Sequence, residues 1–165
     1  MVISKHSEHS SYREKLIEHL FIGELLKFSW QQCDCEIEIS KPEVDNAGYD
    51  LIVEAEKVVR HVQLKASFST STTSQWKVHR KLFDKPSGCV ISVVFDEQTL
   101  ELGPFLFFGS EPNEPLKGIE DLKVARHTKG NKDGDKAERP NIRVVNKGRF
   151  EKVDTIEQLV TKLIG

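Results

Sequence analysis

Two runs of β-forming residues, Tyr49-Asp-Leu-Ile-Val-Glu-Ala55 and Val58-Val-Arg-His-Val-Gln-Leu-Lys65, stand two residues apart and constrain the fold more than any other feature of the chain. A connection as short as Glu56-Lys57 leaves no room for a crossover, so the runs pair as an antiparallel hairpin. In that pairing Ala55 faces Val58 and Asp50 faces Gln63. Opposed residues share a face and side chains alternate with period two, so Asp50, Gln63 and Lys65 project together. Tyr49, Leu51, Val53, Val62 and Leu64 project from the other side, as a core face.

The surrounding pattern supplies partners for this hairpin. Apolar Leu16, Ile17, Leu20, Phe21, Leu25, Leu26 and Phe28 recur at spacings of three and four, which predicts a helix from about Ser10 to Trp30. Cys35 to Ser40 alternates and reads as a strand. Cys89 to Phe95 is a short apolar run fit for a central strand, and Phe105 to Phe108 reads as another. Ser67 to Ser74 is a Ser/Thr loop, and Gln75 to Phe83 a short helix or irregular basic segment. Pro112 to Gly148 reads as loop with one strand at Asn141 to Val145. Asp154, with Glu157 three residues on, predicts the cap of a terminal helix that buries Ile156, Leu159, Val160 and Leu163. The expected fold is α/β (α+β) in one domain over 1–165, a central mixed sheet flanked by helices.

At 165 residues the chain can hold a core without disulfide or metal staples. No apolar stretch approaches the roughly 20 residues of a membrane span, and the polar start does not read as a signal peptide. Three cysteines, Cys33, Cys35 and Cys89, lack C-x-x-C spacing, so reduced thiols and a cytoplasmic location are expected. Walker, dinucleotide, H-E-x-x-H and G-x-S-x-G motifs are absent, which removes support from nucleotide-driven, redox and serine-hydrolase functions.

A carboxylate, an amide oxygen and an ammonium on one sheet face form a specific chemical set. Asp50 and Gln63 can hold a hard cation such as Mg²⁺ or Mn²⁺, and Lys65 can act on a bound water or stabilise charge on a scissile phosphate. With a helical glutamate upstream, the strings Gly48-Tyr-Asp50-Leu and Val62-Gln-Leu-Lys65 resemble the PD-(D/E)XK nuclease superfamily, in the subgroup with Gln two before the lysine, as in Mrr-type enzymes and, in Glu form, archaeal junction resolvases. The resemblance covers about Glu14 to Phe95 and extends to the order of elements. It implies a restriction-endonuclease-like core over about 10–110, with a basic loop and terminal helix in 111–165. It also implies metal-dependent hydrolysis of DNA phosphodiester bonds in restriction, repair or defence. Asp50 is then the principal metal ligand, Gln63 the second, and Lys65 the catalytic lysine. Gln63 departs from the acidic form and weakens the metal site, so the alternative is a catalytically weak or inactive module that binds nucleic acid or a protein partner. A homodimer is compatible with either.

Two glutamates compete for the helical position. Glu24 falls inside the arc of Ile17, Leu20, Phe21 and Phe28, where a buried carboxylate needs a cation. Glu18 lies at the edge of that arc, at a distance from the first strand closer to the resolvase-like spacing.

The net charge of −2 hides polarisation along the chain. Six basic residues and no carboxylate lie between Lys57 and Lys81, and nine basic against three acidic residues between Lys123 and Arg149. A phosphate-binding face is expected from the first window. Its candidates are Ser67, Trp76, Lys77, Arg80 and Lys81, with Ser69, His61 and His79 nearby. Trp76 is either a stacking aromatic or a buried anchor. The second window is expected to form a flexible flap whose Arg126, Lys129, Arg139 and Arg143 contact phosphates, with His127 nearby; a solvated loop is the rival.

Overall fold

A computed structural model describes residues 2–165, with side chains from Lys5 onward. Helices α1 (Val2–Glu8) and α2 (Ser10–Gln32) precede strands β1 (Glu38–Ser40), β2 (Leu51–Ala55), β3 (Val58–Phe68), β4 (Gln75–His79), β5 (Gly88–Phe95) and β6 (Leu102–Gly109). Strands β7 (Lys123–Arg126), β8 (Glu138–Asn146) and β9 (Glu151–Val153) follow, then α3 (Ile156–Ile164). Six strands form one mixed sheet in the order β1-β2-β3-β5-β6-β9, and three form a second sheet in the order β4-β8-β7. In the larger sheet β3 and β5 run parallel and the other neighbours antiparallel.

The hairpin has the register read from the sequence, with Ala55 opposite Val58 and Leu51 opposite Val62. Its turn places Glu56 at φ 52°. Leu51, Val53 and Val62 are buried in the main core with Ile91, Val93, Phe105 and Phe107. Ile17, Phe21 and Leu25 of α2 and Leu159 and Leu163 of α3 complete that core, so both helices cover the same sheet face. The opposite face is covered by the second sheet, through Val78, Leu82, Val90, Phe108 and Val145. Helices therefore flank the central sheet on one side only.

Several segments differ from expectation for local reasons. Gln75 to His79 is a strand, because Trp76 and Val78 alternate inward and pair with Val145 and Arg143; only Arg80–Asp84 is helical, as a 3₁₀ turn. Strand β3 continues to Phe68, since its parallel partner β5 extends as far as Phe95. The expected flap is the β7–β8 hairpin, whose connection is ordered by Asn131 Oδ1 accepting from the N–H groups of Asp133 and Asp135. Residues 111–165 thus contribute strands to both sheets as well as α3. The α3 cap is Thr155, whose hydroxyl accepts from Gln158 N–H, one residue later than the sequence suggested. Tyr49 does not join the core face: the regular strand begins at Leu51, and Tyr49 packs against the second core cluster, edge-on to His61 at 5.0 Å.

Arg60 lies among the six cations of the first basic window but is fully buried. Its Nε donates to Leu163 O (2.8 Å), and its Nη2 to Lys162 O (2.9 Å) and Ser110 O (2.7 Å). The guanidinium thus closes the C-terminal end of α3, where unpaired carbonyls and the helix dipole favour a cation. It belongs to the core and not to a phosphate-binding face.

Among the described residues, no helix is long and apolar enough to cross a membrane. All three cysteines are free thiols.

Candidate functional site

The polar row of the hairpin opens into a cleft of about 440 Å³ between α2 and the sheet. Its walls include Glu14 and Glu18 from α2, Asp45 and Asp50 from the β1–β2 connection, Gln63 and Lys65 from β3, and Trp76 from β4. Two local features place Asp50. Gly48 takes φ +75° and passes so close to β4 that an added Cβ would sit 2.6 Å from His79 Cβ, so the chain enters the strand tightly against the second sheet. The Asp50 carboxylate is then fixed by accepting Leu64 N–H at 2.7 Å through Oδ2, which leaves Oδ1 for another partner.

Across the hairpin, Gln63 Oε1 is buried with no hydrogen-bond partner. A buried amide oxygen in that state costs free energy unless something binds it. Together with Asp50 it forms an oxygen-only donor pair suited to a hard divalent cation. Glu18 faces the same cleft with its side chain only 9% exposed, held by Lys41 and by Lys15 at 3.3 Å. Its carboxylate oxygens, a further set of side-chain oxygens on this cleft, are engaged by the two lysines. Among the described residues no group of three His, Cys, Asp or Glu side chains is set to hold a metal ion.

Electrostatics in the cleft push Asp50 and Lys65 toward their neutral forms. Burial raises the Asp50 carboxyl above its ordinary value, Asp45 and Glu18 add to the rise, and the Leu64 hydrogen bond and Lys65 oppose it. Burial lowers the Lys65 ammonium, against the pull of Asp50, Glu14 and Asp45. For Glu18 burial also acts upward, but hydrogen bonds and charge from Lys41 and Lys15 win and hold it low. A lysine depressed in this way gives up its proton more readily than an exposed one.

The rotation of α2 turns Glu18, and not Glu24, toward the cleft. The buried residues of α2 are Ile17, Glu18, Phe21, Leu25 and Ser29, an arc turned toward Glu18 and away from Glu24. Glu24 lines none of this cleft and pairs at 3.8 Å with Lys27. Buried Ser29 accepts Ile37 N–H at 3.0 Å, which ties the helix end to the chain entering β1 and helps set that rotation.

The expected nucleic-acid contacts divide. Lys77 and Arg139 line a recess of about 390 Å³ that shares Gln63 and Lys65 with the cleft, and His79 lines it too. Trp76 is buried against Phe150, with ring centroids 4.8 Å apart, and does not present a stacking face. Ser67 lies two residues beyond Lys65 on β3 and does not line the cleft, and Ser69 N–H pairs with Phe95 O. Lys81 donates to Asn46 O at 3.3 Å beside an exposed Arg80. Arg126 is exposed and pairs with Glu138 at 3.7 Å, and Lys129 and His127 are exposed in the β7–β8 connection. Arg143 pairs in register with Val78 and Val124, so it leaves β8 on the face opposite Lys77, and it donates to Pro140 O. His61 stands apart from the cleft, its imidazole pushed low by burial and by Lys85.

Sequence reasoning missed Glu14, Asp45 and Lys41. The acid-rich stretch Glu43 to Asp50 was the available signal for Asp45; nothing local marked Lys41 as the partner of Glu18.

No protein-family model matches the chain, and neither does any curated protein.

Proposed function

We propose that the chain is a Mg²⁺- or Mn²⁺-dependent phosphodiesterase that hydrolyses DNA, built on a restriction-endonuclease-like core and serving restriction, repair or defence. The observation that carries this reading is the convergence of Asp50, the unpaired Gln63 Oε1 and Lys65 in one cleft, with Glu18 facing them from α2. Asp50 and Gln63 would hold the cation, with Glu18, which pairs with Lys41, as the further oxygen donor facing them. Once bound, the cation supplies Lewis-acid activation of water and charge neutralisation at the scissile phosphate. Lys65 lies beside these donors and exchanges a proton with the attacking water or donates to a phosphate oxygen. Leu64 N–H holds the Asp50 carboxylate in one orientation throughout.

The experiment is incubation of purified protein with plasmid and branched DNA, with and without Mg²⁺ or Mn²⁺. Lys65→Ala is expected to lower the cleavage rate about a hundredfold or more. Cleavage that survives both a chelator and Lys65→Ala refutes the proposal.

A second reading is favoured by the closed Lys41–Glu18 pair and by an amide where a second charge would tighten a metal site. On that reading the chain is a non-catalytic module that binds DNA on the same scaffold. Calorimetry separates the two: salt-sensitive DNA binding without Mg²⁺ or Mn²⁺ affinity supports the module.

A further inference from the structure

The second sheet lies beside the cleft, and its register places cations in a row. Lys77 of β4 and Lys123 of β7 both pair with Val144 of β8, so the two lysines leave the same face, two strand spacings or about 10 Å apart. Lys136 and Arg126 line the same groove, which has a volume of about 270 Å³. This groove adjoins the recess beside the candidate active site through Lys77, which lines both. Lys77 lines it and also the recess containing Arg139, and that recess shares Gln63 and Lys65 with the carboxylate cleft. The three concavities thus share lining residues in series, from the carboxylates of Glu18 and Asp50 in the first to Lys123 and Lys136 in the last.

No Phe, Tyr or Trp lines the recess or the groove. The nearest aromatic in sequence, Trp76, points inward from the opposite face of β4. Proteins that hold single strands combine basic grooves with aromatic platforms for the bases, whereas a surface of cations alone contacts phosphates. We infer that the β4-β8-β7 sheet is a duplex-DNA platform that holds the backbone on one side of the cut position, through Lys77, Lys123, Lys136 and Arg139, without reading bases. The inference rests on the proposed phosphodiesterase site, which fixes where the scissile phosphate lies. The duplex footprint extends to one side of Lys65, toward β7.

The test is fluorescence anisotropy with a 20-base-pair duplex in EDTA over a range of salt, for the wild type, Lys77→Gln/Lys123→Gln and Arg143→Gln. Lys77 and Lys123 are exposed, so the double variant keeps the fold, which circular dichroism checks. Each phosphate contact contributes about 0.9 to the slope of log affinity against log salt, so the double variant is expected to lose about 1.8. Arg143→Gln is expected to keep the wild-type slope. An unchanged slope in the double variant overturns the platform even if the wild type cleaves DNA. An equal loss in Arg143→Gln also overturns it, because that side chain leaves the other face. Tighter binding of a single-stranded 20-mer than of the duplex overturns the duplex assignment. A reduced slope in a protein that never cleaves supports the platform and refutes only the catalytic reading.

Discussion

Replacing Arg60 tests whether counting charges or reading burial gives this residue its role. The side chain is 0% exposed, donates three hydrogen bonds to backbone carbonyls and lies 5.6 Å over the Phe107 ring. Each hydrogen bond from a charged donor contributes roughly 1.5–3 kcal/mol, and the desolvation cost of the guanidinium offsets several kcal/mol of the sum. Arg60→Ala removes the donors, strands Ser110 O and the α3 carbonyls and leaves a cavity, so the expected loss is about 3–5 kcal/mol. Arg60→Met refills much of the volume without restoring the hydrogen bonds and is expected to lose about 2 kcal/mol. Urea denaturation followed by circular dichroism measures both, and hydrogen exchange is expected to report faster opening of α3 amides in each variant. A loss below about 1 kcal/mol for Arg60→Ala would refute the reasoning. So would an unchanged stability combined with a lower salt slope for DNA binding, since that outcome puts the guanidinium on a phosphate.

Asp50→Asn is expected to stabilise the protein at pH 7 by about 0.5–2 kcal/mol. The folded-state value of Asp50 is raised, so its favourable contribution exists at acid pH and is lost as pH climbs through that value; the wild type carries the penalty at neutrality and the amide does not. The gain should shrink on acidification below the ordinary carboxylate range, and a thermal melt in which Asp50→Asn is the less stable protein at pH 7 contradicts it. Mg²⁺ or Mn²⁺ at a hundred times its dissociation constant should stabilise the wild type by about 2.7 kcal/mol and leave Asp50→Asn unmoved, which a thermal-shift titration reads directly. Gly48→Ala is expected to cost about 1–3 kcal/mol and to lower cleavage, because the new methyl meets His79 while the backbone is held at positive φ; an unchanged melting temperature would refute this.

The hairpin was legible because a two-residue connection and period-two alternation leave few registers, and the grouping of Asp50, Gln63 and Lys65 followed from it. The central strand at Cys89 was legible from its apolar run. Strand β4 was hidden because its alternation spans only Trp76 and Val78, between a Ser/Thr run and a cluster of bases. Strand β7 was hidden for a related reason: Val124 and Ala125 are too few to signal a strand among lysines. Glu18 and Glu24 both stayed candidates because the apolar arc of Ile17, Leu20, Phe21 and Phe28 admits either, and only the burial of Ser29 with Ile17, Phe21 and Leu25 turns the arc toward Glu18. Arg60 was counted with the basic window and its burial was hidden, because its partners Ser110, Lys162 and Leu163 lie far along the chain, beyond any local pattern.

The parallel pairing of β3 with β5 requires a crossover, and residues 69–87 provide it while carrying β4. The partners of β4 come from a different connection, residues 110–150 between β6 and β9. The second sheet is therefore assembled wholly from linkers of the first, and its two halves meet across a long loop whose closure costs entropy until the larger sheet has brought them together. The two sheets share one buried cluster, in which Val78, Leu82 and Val145 pack with Val90 and Phe108, so the linkers are held to the sheet they connect. One domain thereby holds its cleft between two layers of separate origin, and the wall that carries Trp76 is built from chain segments other than the hairpin that carries Asp50, Gln63 and Lys65.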